Sequence, residues 1–183
     1  ALIETIDYLV KQDHPMGIIT ITNALFCLIH LGLFSLAKEK IEEIQNNVNA
    51  VDDFQLLKLA IRSESEDLKQ IVNVSFTLFP KVLGKKEIRL LEFLLEKALI
   101  DDQLELIIEC FDQLKNFEMT ENDKLHLVFF LISAHLIKKN FDQADQILHS
   151  YPLELLNQET TALHFLYGCL LYMTEGKEIA AIH

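Results

Sequence analysis

Seven histidines and three cysteines are the side chains of this chain best suited to chemistry, and their spacing decides what they could do. Asp123 and His126 lie one helical turn apart, as do Asp145 and His149, so each pair offers half of a four-ligand metal site. The other half is missing from the pattern. His-Glu-x-x-His does not occur, and neither does the Glu-x-x-His pair that di-iron bundles need twice. Asp/His pairs of this kind are common on solvated helix surfaces. Cys27, Cys110 and Cys169 are odd in number, form no C-x-x-C pair and each fall in an apolar stretch. They read as small buried hydrophobes in a reducing compartment, not as a disulfide framework. Gly-rich phosphate loops, Gly-x-Ser-x-Gly and kinase signatures are absent. The expectation is therefore a non-enzyme without metal or cofactor, and an all-α enzyme or metal-binding bundle is the remote alternative.

Composition narrows the partners. Sixteen basic residues against 28 acidic ones give a net charge of −12. The densest basic cluster is Lys85-Lys86 with Arg89, far short of the stripe that phosphate backbones require, so no nucleic-acid partner is expected. Half the residues are apolar and the mean hydropathy is +0.20, high for a chain with 24% charged residues. Helices with broad buried faces satisfy both numbers. Five Gly and three Pro are too few for the turns of an all-β fold. The longest apolar stretch, Met16 to Ala37, is interrupted by Thr20, Thr22, Asn23, His30 and two glycines, which predicts a buried helix and no transmembrane segment. A cytoplasmic location fits this composition. The chain opens on Ala1-Leu2-Ile3 and closes at His183 in helical rhythm, as a piece of a longer protein would.

The elements that must position these residues follow from apolar periodicity and from breakers. Leu2, Ile6, Leu9 and Val10 make one helix face, and Asp13 to Gly17 breaks it. Further helices are predicted over Ile18–His30, Ser35–Asn46, Phe54–Ile61, Asp67–Leu78, Glu87–Leu99, Gln103–Lys115, Glu121–Ile137, Phe141–His149 and Thr160–Met173, with a last start beyond Gly176. Asp52 and Thr120 are placed to cap, and Pro80 and Pro152 to stop. The turns at Gly32, Asp67, Asp102, Lys139-Asn140 and Glu175-Gly176 recur every 35 to 37 residues. Each divides two helices, and no Pro/Gly/Ser-rich linker intervenes. One continuous helical-repeat domain over 1–183 is expected, with units at roughly 18–50, 52–83, 86–118, 121–155 and 159–183 and about eleven antiparallel helices.

Gly32, Phe34 and Ala37, then Phe141 and Ala144, with Tyr167-Gly168 in a first-helix position, resemble the tetratricopeptide-repeat family, in degenerate form. The resemblance implies a right-handed α-α superhelix whose first helices line a concave groove for a peptide. Carried onto this sequence, the groove candidates are Phe26, His30, Leu57, Ile61, Glu92, Glu96, His126, Phe129, Ser133, Phe165, Cys169 and Tyr172. The aromatics among them read equally as core. A family variant grips a terminal carboxylate with Lys and Asn; the matching positions here carry Thr22, Phe26, Leu57 and Ile61, so that clamp is absent. The function this implies is an interaction scaffold or regulatory domain that binds an apolar or basic protein segment, with self-association as a further expectation. An acidic secretion or assembly chaperone for an apolar client is the second reading.

Overall fold

A computed structural model describes residues 3–4, 6–8, 15–47, 54–151, 166, 168 and 169. Helices account for most of them: α1 (Pro15–His30), α2 (Phe34–Asn47), α3 (Gln55–Arg62), α4 (Leu68–Leu78), α5 (Lys85–Ile100), α6 (Leu104–Leu114), α7 (Glu121–Ile137) and α8 (Phe141–His149). Residues 3–4, 6–8, 166, 168 and 169 are helical as well. Among the described residues there is no strand, only an isolated parallel bridge between Val82 and Glu118. The fold is all-α, with helices packed on their neighbours. The predicted helix over 160–173 lies mostly outside the described residues, as do Asp52 and Pro152.

The chain divides into two compact units, one of Ala1–Phe79 with Lys85–Leu94 and one of Pro80–Gly84 with Leu95–His183. In the first unit α1 packs on α2 and α3, α2 on α3, and α3 on α4. α1 begins at Pro15, three residues earlier than the predicted start. Proline suits the first helical position, where its missing N–H has no partner to lose. Ala37, Ile41 and Ile44 bury one stripe of α2, while Lys38, Glu39, Glu42 and Glu43 stay exposed. Lys40 reaches Asp7 at 2.7 Å and Glu43 at 2.8 Å, and these two bonds raise its pKa. α4 is capped by Asp67, whose carboxylate accepts from the Gln70 N–H at 3.2 Å, and it stops where Pro80 follows Phe79.

In the second unit α6 packs on α7 and α7 on α8. Thr120 caps α7 by accepting from the Asp123 N–H at 3.2 Å. Leu125, Val128, Ile132 and Leu136 of α7 meet Ala144 and Leu148 of α8 and Leu166 in one apolar cluster. The segment 80–84 is stitched to the end of α6 by Leu83 N–H to Glu118 O (2.8 Å) and Glu118 N–H to Lys81 O (2.9 Å).

Three of the interhelix turns share one geometry. Gly32, Asp102 and Lys139 have φ of +73°, +56° and +59°. After each, the next residue's N–H returns to the carbonyl five residues back: Leu33 to Leu28, Gln103 to Ala98 and Asn140 to His135. This is the Schellman closure, which satisfies the last carbonyls of one helix and reverses the chain into the next. Five residues beyond each turn a side chain is fully enclosed: Ala37, Ile107 and Ala144 are each 0% exposed. The turn before Asp67 closes through Arg62 and Ile61 carbonyls without a positive φ, which is why no Gly is needed there.

Candidate binding pockets

The predicted groove residues fall into distinct environments. Phe26, Leu57 and Ser133 are buried, at 4%, 0% and 7% exposed, and Ser133 donates its hydroxyl to the Phe129 carbonyl at 2.8 Å. His30 is exposed and meets Phe93 edge-on at 5.2 Å, in an aromatic group that Phe34 joins at 6.5 Å. Ile61 and Glu92 are half-buried, and Glu96 and His126 are exposed. Phe129 is half-buried and stacks edge-on with Phe130 at 5.5 Å; it and Cys169 flank the α7–α8 cluster. Phe165 and Tyr172 lie outside the described residues. The cysteines also separate. Cys110 is buried, and burial, with Glu109 nearby, pushes its thiol up to about 12. Cys169 is half-buried. Cys27 is exposed, contrary to the expected burial, because α1 turns that one position away from its packed faces.

Among the described residues, each unit has a concavity between its helices. The first, about 490 Å³, lies between α2 and α3. Phe34, Ile41 and Ile61 form its apolar part. Lys38, Lys58 and Arg62 face Glu42, Glu64 and Glu66 around it. Arg62 holds Glu66 with two bonds of 2.7 Å, and those bonds keep the Glu66 carboxyl below the usual carboxylate range. The charges balance within the cleft.

The second cavity, about 450 Å³, lies among α6, α7 and α8. α6 contributes Ile108, Phe111, Asp112 and Leu114, with Lys115 and Met119 just beyond it. α7 contributes Lys124, Leu127, Val128, Leu131 and His135. α8 and the residues after it contribute Gln143, Ile147, Ser150 and Tyr151. Two lysines at the cavity are paired, Lys115 with Asp112 at 2.7 Å and Lys124 with Glu121 at 3.3 Å. Burial, and then the Glu121 charge, raises the Tyr151 phenol, which therefore stays neutral.

His135 differs from every other polar group in this cavity. It is 9% exposed, and its Nδ1 is sealed from solvent with no hydrogen-bond partner. Burial is the largest cause that lowers its pKa; the Lys138 charge adds to this and Glu105 opposes it. Lys138 and Glu105 are themselves in contact. At neutral pH the ring is an uncharged imidazole. Sequence reasoning did not single it out. The available signal was a histidine beside Leu136 on the stripe Leu125–Val128–Ile132, where every other residue is apolar.

Among the described residues no group of three or more His, Cys, Asp or Glu could hold a metal ion, and no helix is long and apolar enough to cross a membrane. His149 Nδ1 lies 3.2 Å from the Asp145 carboxylate, and both side chains are exposed.

No family model matches the chain, and no solved structure matches it. A curated protein does. The serine/threonine-protein kinase PknD of Protochlamydia amoebophila (strain UWE25) is 32% identical over 182 residues, which is 98% of this chain. The chain spans 18% of the length of that relative.

Proposed function

We propose that this chain is a degenerate, tetratricopeptide-like helical array that binds a protein segment, as one module of a larger polypeptide. The observation that carries the reading is the turn that recurs at Gly32, Asp102 and Lys139, with the same closing hydrogen bond and the same enclosed residue five positions on. A hairpin built this way cannot bury both faces alone, so such units stack and leave one curved face for partners. The packing of α1 on both α2 and α3 is the neighbour pattern that stacking requires. Half-buried Phe129 and Phe34 are aromatic anchors for a bound segment in this reading.

The similarity to a kinase polypeptide supports a place in a larger protein, not phosphoryl transfer. These 183 residues contain neither a Gly-rich phosphate loop nor a kinase catalytic-loop sequence. In a polypeptide of that kind, the module would recruit a substrate or a regulatory partner to the rest of the chain. The net charge of −12 favours segments that carry Lys or Arg between apolar anchors.

The test is selection of displayed random peptides on the immobilised chain, followed by affinity measurement with the best peptide. Apolar, basic peptides should be enriched, and Phe129→Ala should weaken binding by about tenfold, as hot-spot truncations do, at a small loss in Tm. No enrichment, or a loss of binding that merely follows the folded fraction, would refute the reading.

A further inference from the structure

The cavity among α6, α7 and α8 combines an apolar wall with a buried imidazole that has an unsatisfied nitrogen, and that combination specifies an occupant. Its volume of about 450 Å³ lies in the range of small-molecule sites, about 300–1,000 Å³. Phe111, Leu127, Val128, Leu131 and Ile147 supply an apolar enclosure. Lys115 and Lys124 are matched by Asp112 and Glu121, so no free charge asks for a counter-ion. His135 is more than nine-tenths buried, and it lines the cavity.

The proton on His135 can be placed. Nδ1 is closed off and unpartnered. An orphaned buried N–H costs more than an under-used lone pair, so the neutral ring keeps its proton on Nε2. Nε2 is then the ring nitrogen left to address an occupant, and it does so as a donor.

We propose that this cavity is a binding site for a compact, uncharged ligand with an apolar or aromatic body and one hydrogen-bond acceptor, which the Nε2–H of His135 reads. A charged ligand would meet no unpaired counter-charge at the cavity. A purely apolar one would leave the imidazole N–H without a partner, the costly half of the hydrogen-bond asymmetry. The site is separate from the peptide-binding reading: none of the predicted groove residues lines it. Its success or failure leaves that reading untouched.

The experiment uses the whole chain, labelled with ¹⁵N on its histidines and backbone, and two probes of matched shape, p-cresol and toluene. In the free protein the His135 ring nitrogens should report the Nε2–H tautomer; the Nδ1–H tautomer would overturn the assignment of a donor. Both probes should shift amide signals of Phe111, Val128 and Leu131, and only p-cresol should shift His135 Nε2. In His135→Phe the ratio of p-cresol to toluene affinity should fall about tenfold, because the hydroxyl is then buried without a partner. Absence of shifts at the cavity, or an affinity ratio unchanged by His135→Phe, would overturn the proposal. The tautomer and ring shifts are read on the unsubstituted protein, so a poorly folding variant does not remove the test.

Discussion

The cleft between α2 and α3 and the cavity among α6, α7 and α8 are nearly equal in size, about 490 and 450 Å³, and opposite in chemistry. The cleft is bordered by amphipathic helices whose polar stripes reach its rim, so three cations and three carboxylates gather there, with Arg62 and Glu66 in direct contact. A ligand that engaged Arg62 or Glu66 would have to break their pair for an interaction no better than the one lost. The cavity is bordered by helices whose apolar faces turn inward, and its one buried polar side chain, His135, has an unpartnered Nδ1. Volume therefore says little about which concavity is a site. The unsatisfied hydrogen-bonding capacity left within it says more.

The comparison is tested first through the walls, where the largest effect is expected. Leu127 of the cavity and Ile41 of the cleft are 0% and 1% exposed. Leu127→Ala and Ile41→Ala should each cost about 3 kcal/mol in denaturant unfolding, the usual range for truncating a buried aliphatic side chain. Equal losses would show that the two concavities are equally well built and differ only in polar content. A loss under about 1 kcal/mol at Ile41 would make the cleft ordinary surface relief.

The helices that form these walls were legible in the sequence because their breakers are. Gly32, Pro80, Gly84 and the cap at Thr120 delimit elements close to the predicted limits. The groove candidates were harder to place. α1 carries Leu25, Phe26, Leu28 and Ile29 in near succession, and all are buried. A helix packed on two neighbours has no polar face to set its phase, so periodicity does not say whether Phe26 looks inward. The cavity was invisible for another reason. Its volume is what α6, α7 and α8 fail to fill, and a shortfall in packing has no residue type of its own.

The second effect separates the two regions by their polar groups. His135→Phe removes a buried imidazole whose Nδ1 has no partner, and should raise stability by about 1 kcal/mol at neutral pH. The folded-state pKa of His135 lies below its ordinary value of 6.5, mainly through burial. Between those two values the unfolded chain binds more protons than the folded one, so stability falls as pH drops through 6.5 and levels off below the folded-state value. Thermal melts across that range should show this decline, and its His135 share should vanish in His135→Phe. A variant that melts with an unchanged pH profile would mean the imidazole is already satisfied, and the contrast with the charged, solvated cleft would collapse.

A smaller effect tests whether the turns of the two units are one device. Gly32 has room for a Cβ, with nothing within 4 Å, so Gly32→Ala should lose only the cost of a left-handed backbone, about 1 kcal/mol. Lys139 already bears that cost at φ +59°, and Lys139→Gly should gain about 0.5 kcal/mol once glycine's extra chain entropy is set against it. Asp102→Gly should gain less, because Asp tolerates this region better than Lys. Opposite signs at Gly32 and Lys139 would support a shared turn, whereas the same sign at both would show that the two turns are held by different surroundings.

The smallest effect is expected where the cleft has its best-formed contact. Arg62 and Glu66 make two bonds of 2.7 Å, one helical turn apart and on exposed side chains. Water solvates both groups almost as well when they are apart, and salt screens what attraction remains. Arg62→Met should keep an aliphatic stem at the cleft and lose only the charge. Its Tm should match that of the unsubstituted chain within the scatter of repeat melts, at low salt and at high salt alike. A clear loss at low salt that disappears at high salt would mean that the cleft's charges act as a network rather than as separate pairs. The cleft would then hold polar free energy that a charged segment could exchange for its own, and it would become the better candidate for the peptide-binding face.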